Sequence, residues 1–203
     1  ITDAEALIRA VMEAVIKAER MAQAALPPVV IGIPGTLCSS YAARGVAAVK
    51  RPGRRVEAAD VERALDAAAA VVIPPERRIV DRLIRTYLLD GQMIEGSPIG
   101  LAGSRLEVDV QFITAPLSAL AELVNCLGQA GIEVDEAAVQ VLAAARMVLA
   151  PGQRQLGVVL VDLGAGQTDV AVFRDGQLDT MACLPVGTDN LVRDLSAGLG
   201  ITR

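Results

Sequence analysis

The chain has 203 residues, 53% of them apolar and 21% charged, with a formal net charge of −5, a composition of folded globular proteins and not of a disordered tail. That length suits one full domain or two small ones, and two fit slightly better; the acidic balance, with no broad basic face, argues against nucleic acid as a partner. The absence of histidine excludes an imidazole base, a Ser-His dyad and a His-ligated zinc, and with them most hydrolase chemistry.

From the N-terminus, Thr2 and Glu5 read as a capping box opening a long helix. Its apolar stripe of Leu7, Ile8, Val11, Met12, Val15 and Ile16 predicts one face packed on a sheet, and Pro27-Pro28 is the expected stop. Val29 to Ile33 reads as a short strand ended by Pro34-Gly35, and Tyr41 to Val49 as a second strand in a hairpin-like pair with it. Glu57 to Val72 is an alanine-rich helix with Val61, Leu65 and Ala68 on one side, followed by strands at Ile79 to Leu89 and Leu106 to Ile113. Strand, strand, helix, strand, strand makes a small α+β unit over roughly Pro28 to Gln111. Leu117 to Leu127 reads as a helix, Ile132 to Val139 as a strand and Val141 to Leu149 as a helix closed by Pro151-Gly152. Beyond Gly157, three strands at Val158 to Val161, Val170 to Phe173 and Gln177 to Leu184 form a meander with a glycine-rich first tip, and the chain closes at Arg203 just inside a further helix.

That tip, Asp162-Leu163-Gly164-Ala165-Gly166-Gln167-Thr168-Asp169, is the strongest chemical signal. Glycines let backbone N–H groups approach an anion closely, as in an anion-binding nest, and phosphate is the natural guest. Asp162 is placed to orient Mg²⁺ through waters, Thr168 to hydrogen-bond a phosphate oxygen, and Asp169 to hold water or metal from the other end of the loop. The same eight residues equally suit an ordinary tight hairpin. Cys38, Cys126 and Cys183 lie far apart without CxxC spacing, so they read as small apolar fillers in a reducing compartment. No apolar run approaches the roughly 20 residues that span a bilayer, and no signal-peptide pattern opens the chain. Arg44, Lys50, Arg51, Arg54 and Arg55 are the one local basic concentration, and with Glu57, Asp60 and Glu62 close behind they read as a solvated, self-neutralising face.

The run Val161 to Phe173 resembles the second phosphate-binding motif of the actin, Hsp70 and sugar-kinase superfamily. Within it the chain is similar to the FtsA family of bacterial cell-division proteins, in Ala18-Glu19-Arg20-Met21, Val30-Ile31-Gly32-Ile33, Ile73-Pro74-Pro75-Glu76, Asp90-Gly91-Gln92, Pro98 to Val108 and Leu184-Pro185-Val186-Gly187. The run Gly103-Ser104-Arg105-Leu106-Glu107-Val108 carries the family most specifically. The resemblance implies a partial α/β, actin-like (ribonuclease H-like) fold with an inserted α+β subdomain IC. Residues 1–27 and 112–156 would then belong to subdomain IA, 28–111 to IC, and 157–203 to the start of IIA. It implies ATP and Mg²⁺ as cofactors, with Asp162, Gly164, Ala165, Gly166, Gln167, Thr168 and Asp169 as the binding loop and Asp162 at the metal. Gln140 aligns with the superfamily position that orients the attacking water. A glutamine positions water without being a strong base, and its plain structural role is to satisfy the strand-to-helix junction.

The same resemblance implies a polymer-forming adaptor at the division site. It would be cytoplasmic and peripheral on the inner membrane face, tethering the FtsZ ring and recruiting division proteins through residues 28–111. Alternatives are an actin-like adaptor of type IV pilus assembly and a true ATPase of the same fold. Ala165 stands where the family usually has glycine and Gln167 where a small hydroxyl is usual, so weaker nucleotide binding is expected; if Ala165 needs a positive φ, its Cβ costs about 1 kcal/mol. The first phosphate motif, the adenosine motif, the FtsZ-peptide subdomain and the C-terminal amphipathic helix lie outside these residues. This stretch is therefore expected to be a fragment that contacts membrane only through that missing helix, inactive by itself, with hydrolysis weak at most.

Overall fold

The computed structural model describes residues 3–49 and 55–201. Helix α1, Ala4–Ala22, starts at Asp3, whose carboxylate accepts the Ala6 N–H at 2.8 Å. The expected Thr2 cap lies outside the described residues. The helix stops ahead of Pro27 because Gln23 turns left-handed at φ 54°. The expectation that α1 packs on a sheet is corrected: its main neighbour is a helix further along, Leu117–Gln129, and no α1 residue is buried.

Strand β1, Val29–Ile33, leads through a 3-10 turn at Gly35–Leu37 into β2, Ser39–Ala48. Helix α2, Ala58–Val72, is capped by Glu57 and Asp60, the Glu57 N–H donating to the Asp60 carboxylate at 2.9 Å. Strands β3, Arg77–Leu89, and β4, Gln92–Ile94, form a hairpin through Asp90 and Gly91, both at positive φ. Strand β5, Arg105–Pro116, follows. The Asp90 carboxylate accepts the N–H groups of Ser104 and Arg105 at 2.9 to 3.1 Å, and a Cβ on Gly103 would run into Leu89. The Gly103 to Val108 run is thus shaped to close this turn against the start of β5.

The four strands pair antiparallel in the order β2-β5-β3-β4, and α2 lies across one face. Val61, Ala64, Leu65 and Ala68 of α2 bury against Leu106, Val108, Val110 and Phe112 of β5 and Ala47 of β2, the apolar contact that gives the unit its own core. On the other face of β5, Glu107 is buried between Arg44 and Arg105. Arg44 also grips Asp109 with two hydrogen bonds of 2.6 and 2.7 Å, so this member of the basic concentration is neutralised across the sheet by Asp109 and Glu107 and not by the expected Glu57, Asp60 or Glu62. Residues 50–54 of that concentration lie outside the described residues.

The hairpin expected between β1 and β2 does not form. Helix α3, Leu117–Gln129, ends at Gly131 (φ 79°), and β6, Val134–Val139, then pairs parallel with β1 in a separate two-stranded sheet. A parallel partner needs a long connection, here the entire four-stranded unit and α3. Helix α4, Gln140–Val148, is followed by α5, Pro151–Leu156, where the Pro151-Gly152 pair was expected only to close a helix. Pro151 instead opens a helix, where its missing N–H costs nothing.

Strands β7, Val158–Leu163, β8, Thr168–Arg174, and β9, Gln177–Leu184, make the expected meander, and α6, Thr188–Leu199, closes the described chain. Ala171, Phe173 and Leu178 of the meander join Val141, Leu142 and Ala145 of α4 and Ile113 of β5 in a second core. Among the described residues no helix is long and apolar enough to cross a membrane.

Candidate functional site

The glycine-rich loop joins β7 to β8. The ladder sets Asp162 opposite Asp169 and Leu163 opposite Thr168, and the Gly164 N–H donates to the Gln167 carbonyl at 3.0 Å, leaving Ala165 and Gly166 at the exposed tip. None of Gly164, Ala165 and Gly166 has a positive φ. The conditional strain at Ala165 therefore does not arise, and the loop is no alternating right- and left-handed nest. Its fitness for an anion lies in exposure: the Ala165 and Gly166 N–H groups have no hydrogen-bond partner among the described residues.

The remaining loop groups hold the loop in shape. Thr168 donates its hydroxyl to the Val186 carbonyl at 2.7 Å. The first turn of α6 abuts the loop, with Thr188 and Asp189 N–H groups donating to the Gly164 and Ala165 carbonyls at 3.0 and 2.8 Å. Gly187 makes this approach possible, since a Cβ there would strike both carbonyls.

Asp169 is buried, with 3% of its surface exposed. Its Oδ2 accepts the Gln167 side-chain amide at 2.7 Å, while Oδ1 is buried without a partner and faces the bare Cα of Gly35. Gln167 reaches further: its Oε1 accepts the Thr36 hydroxyl at 3.2 Å. The residue at the small-hydroxyl position of the family motif thus ties the loop to the turn after β1. Cys38 and Cys183 border the same carboxylate. Burial, then the Asp169 charge, raises the Cys38 thiol to about 11, and burial with a hydrogen bond to Asp169 raises Cys183 to about 11. Both thiols stay protonated at neutral pH, in keeping with their reading as unreactive fillers.

Gln140 opens α4 with its side chain laid over Gly32 of β1; a Cβ on Gly32 would lie 2.7 Å from its Cγ and 2.9 Å from its Nε2. No hydrogen bond joins Gln140 to residues 162–169 among the described residues. Gln140 lies against Gly32 and Asp169 against Gly35, three positions further along the chain.

A phosphate with its magnesium fits part of this arrangement. Asp162 is exposed at the end of β7 and the tip N–H groups are free, whereas the Thr168 hydroxyl is engaged and Asp169 lies beneath Gln167. No group of three or more Cys, Asp or Glu able to hold a metal occurs among the described residues, so Asp162 is suited to a cation that keeps most of its waters. Gly35, Thr36 and Gly187 join the site only through the fold. Pro34-Gly35 and Gly187 were visible as glycine signals, but nothing local says which loop they approach.

A family model described as "SHS2 domain inserted in FTSA" matches residues 35–114, and one described as "Cell division protein FtsA" matches residues 159–203. The cell division protein FtsA of Pseudomonas aeruginosa is 34% identical over 199 residues, 98% of this chain and 47% of that protein. That of Bacillus subtilis is 34% identical over 199 residues, 98% and 45% of the two chains, and that of Escherichia coli 28% identical over 200 residues, 98% and 47%. The chain spans about half the length of the curated relatives it matches. A solved structure described as "PilM-PilN type IV pilus biogenesis complex" superposes with a TM-score of 0.65 at 17% identity, covering 97% of this chain and 53% of that one. The α/β architecture is thus a partial actin-like fold carrying an inserted SHS2 domain.

Proposed function

Because the chain belongs to the FtsA family of cell-division proteins, we propose that it forms one wall of an ATP cleft in an actin-like division adaptor. The observation that carries this reading is the exposed loop from Asp162 to Asp169, with unpartnered N–H groups at Ala165 and Gly166 and a carboxylate at its mouth. In this reading the tip N–H groups receive phosphate oxygens and Asp162 holds hydrated Mg²⁺ beside them. Thr168 and Asp169 act from behind: one anchors the loop to Val186, the other receives Gln167. Bound Mg·ATP supplies charge and shape that join the two halves of the cleft. Gln140 stays a water-positioning candidate for slow hydrolysis, to be completed by residues that reach it from outside this stretch.

The larger role follows the family: polymerisation, tethering of the FtsZ ring to the inner membrane face, and recruitment of division proteins through residues 28–111. The subdomain limits of 1–27, 28–111, 112–156 and 157–203 belong to the same reading, and β1 in it sides with the 112–156 segment through its pairing with β6. Relatives at 34% identity are division proteins by name, which supports division over pilus assembly. The test is calorimetric titration of Mg·ATP into the protein completed with its natural flanking sequence, with Asp162→Ala beside it. Binding that weakens at least tenfold in Asp162→Ala is the expected result. Equal binding by both forms, or none by the unmutated one, refutes the loop as the phosphate site.

A further inference from the structure

Strand β8 has the glycine loop at one end and, about 20 Å away at the other, a cleft of about 370 Å³ walled by β3, α4 and the β8–β9 turn. That volume sits at the lower end of the range for small-molecule sites, roughly 300 to 1,000 Å³. Leu142, Phe173 and Leu178 give it an apolar floor, and Arg82, Arg85, Arg146 and Arg154 stand around it. Two of these charges are already matched, Arg82 by Glu62 at 3.0 Å and Arg146 by Asp81 at 3.1 Å.

The other two are not. Arg85 donates only to neutral acceptors, the Gln111 side chain at 2.9 Å and the Leu178 and Asp179 carbonyls at 3.3 and 3.1 Å. Its Nε is buried with no partner, a costly state for a charged donor. Arg154 makes no side-chain hydrogen bond or ion pair among the described residues. Arg154 presents its whole fork and Arg85 adds a positive charge that no carboxylate cancels, so an oxyanion seated on Arg154 above the apolar floor is favoured by both.

We propose that this cleft binds a small organic anion, its carboxylate or phosphate head held by Arg154 beside the uncancelled charge of Arg85 and its apolar body lying on Phe173 and Leu178. Such a ligand bridges β3 of the four-stranded unit to the turn at Asp175 and Gly176, and so braces the SHS2-type unit against the meander. The site is separate from the glycine loop and needs no nucleotide.

The test titrates octanoate, octyl phosphate and neutral octanol into the ¹⁵N-labelled chain, with Arg154→Ala and Arg154→Lys beside it. Arg154 is partly exposed and holds no other group, so both variants fold. The expected result is that one or both anions shift the amides of Leu142, Phe173 and Leu178 at concentrations about tenfold below octanol. Arg154→Ala weakens that binding about tenfold and Arg154→Lys weakens it less. Tighter binding of octanoate identifies a carboxylate head, and of octyl phosphate a phosphate head. Equal binding of octanol, shifts confined to α1 or α6, or an unchanged affinity in Arg154→Ala overturns the proposal.

Discussion

The side chain of Gln167 stands between two segments 131 residues apart, donating to Asp169 at 2.7 Å and accepting from Thr36 at 3.2 Å. Removing it takes from a buried carboxylate the side-chain amide that its Oδ2 accepts. Gln167→Ala is therefore expected to destabilise the fold by about 1 to 3 kcal/mol. Adding Asp169→Asn should cost less than the sum of the two single changes, because the second removes the charge that the first strands. Urea denaturation of the three variants measures this, and strict additivity would show that the contact carries no energy.

Gly187 lets the first turn of α6 lie against the loop carbonyls. Gly187→Ala pushes the helix off and frees the Gly164 and Ala165 carbonyls to turn toward an incoming phosphate. The expected outcome is weaker Mg·ATP binding by the completed protein, by tenfold or more, with a melting temperature changed by only a few degrees. Calorimetry and thermal denaturation on the same samples separate the two effects.

Gly45 of β2 lies directly under α2, and a Cβ there would collide with the Ala64 carbonyl and come within 2.9 Å of the Ala68 Cβ. Both contacts are with a packed helix that has no room to shift. Gly45→Ala is expected to cost about 1 to 3 kcal/mol by overpacking. Gly166→Ala meets nothing within 4 Å and should leave stability within about 0.5 kcal/mol. Chemical denaturation of the pair gives the comparison.

Alkaline pH should loosen the site. The thiols of Cys38 and Cys183 titrate near 11 in the fold against 9.0 when free, and Tyr87 is shifted upward from 10.0 by burial and Glu62. Above about pH 9 the unfolded chain loses protons that the folded chain keeps, so stability present below pH 9 declines as pH rises toward 11. Melting temperature followed from pH 8 to 10.5 should fall, and Cys38→Ser with Cys183→Ser should flatten the fall. Alkylation of both thiols by iodoacetamide at pH 8 should be far slower in the native than in the urea-unfolded chain.

Where a signal is local, the sequence by itself was enough. The existence of strands β2 and β5, the Val61-Leu65-Ala68 face of α2 and the glycine tip between β7 and β8 each follow from residue preference, a residue period or turn chemistry a few positions long. The loop residues from Asp162 to Asp169 were legible in the same way.

What only the tertiary structure decided involves partners far apart in the chain. Val29 to Ile33 pairs with a strand about a hundred residues later and not with its neighbour, because a parallel ladder leaves no mark on the connecting sequence. Helix α1 shows an apolar stripe but packs against α3 without burying a residue, since amphipathicity states that a face wants covering and not what covers it. The three-residue β4 and the helix opened by Pro151 fell below or against the local rules. Gly35 and Gly187 acquired their roles only when the fold set Asp169 and the Ala165 carbonyl against them. The arginine cleft is the extreme case, drawn from β3, α4, α5, β8 and β9, with residues up to 96 positions apart. Charge and apolar surface converge there through packing alone, and no spacing along the chain encodes it.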